Sequence, residues 1–232
     1  MPRTRSLFPK DASLADLLKQ LGGISPHRVR LNPPPGKATE RDVLNILDHE
    51  NRLCELVDGT LVEKPMGVLE SCLAIDINRW LGNFVEEHDL GILTGADGTL
   101  RLRLGLVRMP DLSFISWKQL PNRKYPNEPI ASLIPDLVVE VLSESNTRGE
   151  MERKLKEYFL SGTQLAWIVD PIQRTVDVHT APDRFVRLKE GDVLEGGTLF
   201  PGFRLPLERL FARVEKPQRR RRKPRKPNEP EA

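Results

Sequence analysis

The sequence has few of the residues from which disulfides and thiolate metal sites are built. Only Cys54 and Cys72 occur among its 232 residues, and they do not form a CxxC pair. A disulfide framework and a thiolate zinc site are therefore excluded, and both thiols are expected to be reduced. The histidines are isolated from one another along the chain: His27, His49, His88 and His179. This spacing argues against a histidine-based metal site or catalytic triad.

Long apolar runs and several well-known catalytic motifs are also missing. No apolar run approaches the roughly 18 residues that a membrane span needs, and residues 1–10 lack the apolar stretch of a signal peptide. A cytoplasmic location is therefore expected. The absence of GxSxG, HExxH and P-loop spacings leaves little support for a small-molecule hydrolase.

Length and charge divide the chain into a body and a basic end. With 38% hydrophobic and 30% charged residues, the composition is typical of one soluble domain with tails. The net charge of +3 is uneven, because residues 216–232 hold eight basic and two acidic residues and leave residues 1–215 at −3. We expect a poorly ordered lead-in over residues 1–38, a domain over residues 39–213 and a basic disordered tail over residues 214–232.

The tail contains a run of basic residues: Arg219, Arg220, Arg221, Arg222 and Lys223. Such a run suits binding to a polyphosphate backbone, because each contact releases condensed counterions. A solubilising tail without a specific partner is the alternative interpretation.

Hydrophobic periodicity and turn residues predict a domain that mixes helices and strands. The predicted helices cover residues 39–49, 69–88 and 149–160. A hairpin is predicted over residues 54–63, because Asp58-Gly59 accepts the positive φ values of a tight turn. Residues 136–142 and 165–169 have the pattern of strands covered on both faces. The predicted fold class is α/β or α+β with a mixed central sheet.

Glu140 is an acid where an apolar residue is expected. It lies in the strand 136–142, on the face that also carries Val138 and Leu142. Charged groups are rarely buried unless they are paired or bind a metal. Glu140 is therefore either a site residue or a carboxylate paired with a neighbouring Arg or Lys.

Asp111 opens a second short strand, residues 111–115, after Met109-Pro110. Alone, it would be a turn or strand-start residue. Together with Glu140 on an adjacent strand, it could hold one Mg²⁺ through oxygen ligands, with water completing the shell.

Glu70 and Lys154 are candidates on helices. Glu70 lies inside the apolar stripe of the helix over residues 69–88, so it is either a first-turn residue favoured by the helix dipole or a site residue facing the sheet. Lys154 flanks the apolar stripe of the helix after Glu140, and its stem could run along the core to the sheet edge. An ordinary solvated lysine is the alternative.

Several stretches of the chain resemble the Uma family of restriction-endonuclease-like proteins, within the PD-(D/E)xK nuclease superfamily. The similarity covers roughly residues 39–211. The matching stretches are Glu55 to Val62, Met109 to Ser116, Pro135 to Ser143, Lys154 to Tyr158, Trp167 to Pro171 and Pro201 to Phe203.

This resemblance implies a restriction-endonuclease-like core and a role for each candidate. Asp111 matches the acid of the PD element, Glu140 the second acid, and the Val141 carbonyl a third ligand for Mg²⁺ or Mn²⁺. Glu70 matches the acid of the first core helix. The superfamily lysine stands two positions after the second acid, where this chain has Leu142, so Lys154 would replace it from the next helix.

The implied function is a Mg²⁺-dependent endonuclease that acts on DNA, with a homodimer as one possible assembly. The alternative is a non-catalytic module that keeps the nuclease fold and binds nucleic acid or a partner. In that case Leu142, at the position of the superfamily lysine, would indicate that catalytic activity has been lost. The orientation of Lys154 relative to Asp111 and Glu140 separates the two hypotheses.

Overall fold

The protein is described here from a computed structural model that covers residues 13–65 and 67–215. The α-helices are α1 (Leu14–Gln20), α2 (Glu40–Glu50), α3 (Val68–Glu87), α4 (Arg148–Ser161) and α5 (Leu207–Phe211). A single 3₁₀ turn, Pro26–Arg28, joins the described elements between α1 and α2.

Twelve strands are present in the described residues. They are β1 (Cys54–Val57), β2 (Thr60–Glu63), β3 (Gly91–Thr94), β4 (Leu100–Arg103), β5 (Leu106–Arg108), β6 (Leu112–Ser116), β7 (Leu137–Val141), β8 (Leu165–Asp170), β9 (Thr175–Ala181), β10 (Arg184–Lys189), β11 (Val193–Gly196) and β12 (Phe200–Pro206). The central sheet has the order β10-β9-β8-β7-β6-β3, a four-stranded sheet has the order β2-β1-β5-β4, and β11 and β12 form a two-stranded sheet. Only β7 and β8 pair in parallel within the central sheet, so it is mixed, as predicted.

Local sequence accounts for the ends of the helices that flank the site. Thr39 precedes the first turn of α2, and its backbone N–H and hydroxyl both donate to the Asp42 carboxylate, at 2.8 and 2.7 Å. Thr147 caps α4 by accepting a hydrogen bond from the Glu150 N–H, and Gly162 ends that helix with φ at 118°. A left-handed C-terminal residue is favourable for glycine, which has no Cβ to clash.

The predicted hairpin and buried strands are confirmed. β1 and β2 pair through a two-residue turn in which Asp58 and Gly59 have φ values of 48° and 73°. Two strands were missed. The strands β5 and β11 were not predicted, because runs of three and four residues carry too little periodicity. The proline-rich stretch 117–135 contains no helix or strand.

The alternation along β7 decides what each of its faces contacts. Leu137, Val139 and Val141 pack in the core formed with α3, whereas Val138 packs in the core formed with α4. Glu140 shares the Val138 face, because side chains two residues apart point the same way. The acid therefore points at α4, from which Lys154 projects.

Residues 13–38 differ from the poorly ordered lead-in that composition suggested. Their apolar side chains pack against Val57 and Val62 of the first hairpin, and the Arg30 N–H donates to the Leu61 carbonyl at 3.0 Å. Arg28 makes a two-pronged ion pair with Glu150 of α4, at 2.7 and 2.9 Å. The segment is ordered because it covers an apolar face of β1 and β2 that would otherwise be exposed. The division of the chain into three parts stays a prediction.

Within residues 13–65 and 67–215, no helix combines the length and apolar character needed to cross a membrane. The predicted disordered tail is described only as far as residue 215, and its remainder lies outside the described residues.

Candidate active site

The two strands that carry the candidate acids lie side by side and place these acids opposite each other. β6 and β7 pair antiparallel with Leu112 opposite Val139. Asp111 directly precedes β6, and extending this register by one residue sets it opposite Glu140; the hydrogen bond from the Val141 N–H to Asp111 Oδ2 agrees with that placement. Side chains directly opposite on antiparallel strands have Cβ atoms about 4.5–5.5 Å apart. The tertiary structure thus brings together two carboxylates that are far apart in sequence.

Glu140 is buried among groups that donate hydrogen bonds to it. The Lys154 ammonium donates to both carboxylate oxygens, at 3.0 and 3.1 Å, and the Tyr158 hydroxyl donates to Oε1 at 2.6 Å. Glu140 is 5% exposed and Lys154 is 3% exposed. The two donors are one helical turn apart on α4, so the helix holds the carboxylate in a fixed orientation.

A second buried acid, Glu55 of β1, supports the same lysine. Its Oε1 lies 3.3 Å from Lys154 Nζ and accepts the Met109 N–H at 3.2 Å. Its Oε2 accepts a hydrogen bond from Arg108 Nη1 at 2.6 Å, and Arg108 also donates to Glu157 of α4. Glu55 therefore links Lys154 to the Met109-Pro110 segment that leads into Asp111.

The electrostatics of the cluster keep Lys154 charged. Burial by itself lowers the pKa of Lys154, but the negative charges of Glu140 and Glu55 outweigh burial and raise its pKa above the ordinary value. For Glu55, burial raises the pKa, but Lys154 and Arg108 reverse the shift and lower it to about 2. For Glu140, burial raises the pKa above its ordinary value, and Lys154 only partly offsets that shift.

Asp111 has two different neighbours on its two oxygens. Oδ1 lies 2.8 Å from the Lys64 ammonium, and Oδ2 accepts the Val141 N–H at 2.7 Å. The Val141 backbone therefore lies next to Asp111. Because the negative charge of Asp111 contributes to the raised pKa of Glu140, the two acids are close enough to repel each other.

Asp111 also faces an open cavity, and Glu70 lies on the same cavity wall. The cavity has a volume of about 300 Å³ and is lined by residues of α3, β3 and the segments around β2 and β6, Lys64 and Asp97 among them. Glu70 occupies the first turn of α3 beside its N-cap residue, Gly67. Glu140 and Lys154 do not line this cavity and are buried.

The structure decides between the alternative interpretations of Glu140, Lys154 and Glu70 that the sequence left open. Glu140 is paired with a lysine, as one interpretation held, and that lysine is the candidate Lys154. Lys154 is buried rather than solvated. Glu70 is a first-turn residue and also lines the cavity. The tail residues 219–223 lie outside the described residues.

Sequence reasoning missed Lys64, Glu55 and Arg108 as members of this cluster. Glu55 carried a usable signal, because it is an acid within a strand whose four residues are all buried. The same argument that selected Glu140 would have selected it. Lys64 carried no such signal, since a lysine after a strand is ordinarily solvated.

The chemistry of the donor set fits a hard divalent cation. Mg²⁺ takes oxygen ligands, commonly one or two carboxylates with several waters retained. Asp111 and Glu140 supply two carboxylates at neighbouring strand ends. Within residues 13–65 and 67–215, no three His, Cys, Asp or Glu side chains form a group that could hold a metal. An ion here would therefore depend on two carboxylates, completed by a backbone carbonyl and water.

A comparison with protein-family models matches residues 40–208, well over half of the chain, to the family Uma2, described as "Putative restriction endonuclease". The chain belongs to the Uma2 family. The match begins at the first residue of α2 and ends within α5, so it spans all three sheets and all the acids described above. The resemblance inferred from the sequence is confirmed.

The fold of this Uma2 chain is also found in a solved structure. That structure is a putative nuclease belonging to DUF820 from Anabaena variabilis ATCC 29413, with a TM-score of 0.63 and 19% sequence identity. The match covers 70% of this chain and 91% of the other. The predicted restriction-endonuclease-like α/β fold is confirmed. No curated protein matches the chain.

Proposed function

We propose that this Uma2 chain is a metal-dependent endonuclease that hydrolyses phosphodiester bonds of DNA. The observation that carries the proposal is the position of Asp111 opposite Glu140, with Asp111 on an open cavity and Lys154 held on Glu140. The family description and the nuclease title of the structural neighbour support the same reaction class.

The two strand-end acids would hold the ion. Asp111 and Glu140 would bind Mg²⁺ or Mn²⁺, with the Val141 carbonyl as a third oxygen ligand. When bound, the ion would supply Lewis-acid polarisation of the scissile phosphate and a bound water of lowered pKa. The proposed reaction is hydrolysis by in-line attack of water on the phosphorus, which breaks the P–O bond to the leaving sugar oxygen; that oxygen takes up a proton and leaves as a hydroxyl group.

The role of Lys154 is to hold Glu140 and to supply positive charge. Its pKa is raised, so it stays protonated at neutral pH and does not act as a general base. Lys154 and Tyr158 fix the orientation of the Glu140 carboxylate, which preorganises the acid for its ligand. Because Lys154 is buried and does not line the cavity, we propose that its charge acts through Glu140 and offsets charge that develops on the phosphate.

Glu70 and the basic tail are assigned to substrate handling. Glu70 borders the cavity from α3 and is positioned to contact water or substrate there. Residues 1–215 carry a net charge of −3, which opposes binding to a polyanion. We therefore propose that the arginine-rich tail supplies most of the attraction to DNA. A homodimer and a cytoplasmic location stay predictions.

The proposal is tested by incubating the full chain with supercoiled plasmid and Mg²⁺ or Mn²⁺. Asp111→Asn and Glu140→Gln remove the charge of each acid with little change in shape. The matched control is Glu195→Gln, because Glu195 is an exposed acid paired with Arg204 on the two-stranded sheet. We expect wild type and the control to nick the plasmid and the two site variants to lose nicking.

Two results would oppose this assignment. Nicking that persists in both Asp111→Asn and Glu140→Gln would mean that the activity belongs to another site or to a contaminant. A folded wild type that binds plasmid but never nicks it would favour the non-catalytic nucleic-acid-binding module instead.

A further inference from the structure

The side chain of Lys64 is held by Asp111 in a manner unusual for a lysine that follows a strand. Its ammonium lies 2.8 Å from Asp111 Oδ1, 2.7 Å from the Met109 carbonyl oxygen and 3.2 Å from the Ala96 carbonyl oxygen. The side chain is 5% exposed. An ammonium has three N–H donors and no acceptor, so these three oxygens satisfy it completely.

These oxygens are also the kind of ligands that a hard cation takes. Carboxylate and backbone carbonyl oxygens surround the Lys64 ammonium as they would surround a small metal ion. The other oxygen of Asp111 accepts the Val141 N–H. Both Asp111 oxygens therefore have a donor already, and a divalent ion that binds Asp111 has to compete with the positive charge of Lys64.

The charge of Asp111 is compensated locally while Lys64 is in place. Each of the other acids has its own cation: Lys154 contacts Glu140, and Arg108 is shared by Glu55 and Glu157. The Lys64 ammonium is the cation in contact with Asp111. If it leaves, Asp111 carries a negative charge without a paired cation and attracts the divalent ion.

Lys64, unlike Lys154, has space into which it can move. Lys64 lines the open cavity together with Asp111, whereas Lys154 is buried between Glu140 and Glu55. The flexible four-carbon stem lets the Lys64 ammonium turn into the cavity without a change in the fold. In the cavity the ammonium faces solvent or an anion.

We propose that Lys64 is an internal competitor of the divalent metal at Asp111: it pairs with Asp111 when no metal is bound and has to release Asp111 for the metal to bind. The inference rests on the proposed metal-dependent function. Lys64 is not one of the acids or the lysine that the family resemblance assigned to the site. In this proposal the affinity of the site for the metal depends on how strongly Lys64 holds Asp111.

The test measures Mn²⁺ binding to the full chain without DNA, from the loss of the free Mn²⁺ signal in electron paramagnetic resonance. Lys64→Met removes the competing charge, and the affinity is expected to rise about tenfold or more, the factor that corresponds to ~1.4 kcal/mol. Lys64→Gln removes the charge but keeps an amide donor for Asp111 and the carbonyls, so it provides the test if the Met variant folds poorly. Lys118→Met, at an exposed lysine, is the matched control and should bind as wild type does.

The double variant Lys64→Met with Asp111→Asn is expected to lose the gain, because the gain depends on Asp111. Wild-type affinity in folded Lys64→Met and Lys64→Gln would overturn the inference while leaving the proposed function intact. If neither wild type nor the Lys64 variants bind Mn²⁺, the metal-dependent function falls and this inference falls with it. Binding that appears only in the Lys64 variants and requires Asp111 would support the inference.

Discussion

Replacing Lys154 by methionine is expected to destabilise the protein in a manner that depends on pH. Lys154 is 3% exposed and contacts both Glu140 and Glu55. After the substitution Glu55 keeps its hydrogen bonds from Arg108 and the Met109 N–H. Glu140 keeps Tyr158 but loses its ammonium, so Glu140 is the acid left with an uncompensated charge. Removing one partner of a buried pair costs about 3–5 kcal/mol.

The pH dependence follows from the ability of Glu140 to become neutral. An ordinary glutamic acid has a pKa of about 4.3, and each pH unit above the pKa adds about 1.36 kcal/mol to the cost of keeping it protonated. The electrostatic penalty is therefore at most about 3.7 kcal/mol at pH 7 and about 1 kcal/mol at pH 5. Lys154 stays protonated throughout this range, because its pKa is raised above an already high ordinary value. Its own titration therefore adds no pH dependence to the free energy of unfolding between pH 5 and pH 7.

The sign is set by the direction of the Glu140 shift. Burial already raises the pKa of Glu140 in the folded protein, and loss of Lys154 removes the charge that lowers it. A carboxyl group with a raised folded-state pKa contributes stability below its unfolded pKa and loses that contribution as the pH rises through the folded pKa. The destabilisation by Lys154→Met must therefore grow from pH 5 to pH 7.

The assay is urea unfolding at pH 5 and pH 7, followed by tryptophan fluorescence, to which the buried Trp167 contributes. Lys156→Met, an exposed position on the same helix, is the control and should change stability by less than about 0.5 kcal/mol. Adding Glu140→Gln to Lys154→Met should remove the pH dependence. The reasoning is refuted if Lys154→Met is as stable as the control at pH 7, or if its loss of stability is equal at both pH values.

Two further predictions concern other parts of the fold. With a thiol reagent at pH 8, native protein should show one fast-reacting cysteine, the exposed Cys72, because burial raises the pKa of Cys54 to about 11; two thiols reacting at one rate would contradict this. Gly22→Ala should lower the free energy of unfolding by more than the roughly 1–3 kcal/mol of left-handed strain, because a Cβ there would lie 2.3 Å from the Glu150 nitrogen. Gly23→Ala is the control, because nothing lies within 4 Å of the added Cβ, and only the left-handed strain should lower its free energy of unfolding in urea. An equal loss of unfolding free energy in both variants would argue against close packing of residues 13–38 on α4.

Much of the fold could be predicted from local sequence. The alternating apolar residues of β7, the hydroxyl cap of α2 and the Asp58-Gly59 turn each act over a few residues, so each is visible in a short window. The same local alternation placed Glu140 on the face that meets α4. Short strands such as β5 could not be predicted, because pairing with neighbouring strands, rather than their own composition, makes them strands.

The partners of the acids could be predicted only in part. Lys154 was selected because its helix follows β7 directly and its flank position allowed it to reach the sheet. Lys64 was not selected, because nothing in the residues around it indicates that its ammonium contacts Asp111 and two carbonyl oxygens far along the chain. Arg28 was assigned to a poorly ordered lead-in, yet it pairs with Glu150 of α4.

The sequence by itself determined the longer helices and the buried strands, which face of β7 carries an acid, and that this acid needs a partner. Only the tertiary structure decided which cation sits on which carboxylate, because that depends on strand register and on how the layers pack. Because these pairs are buried, losing one partner strongly destabilises the fold: the remaining charge is removed from water and has no other group to compensate it.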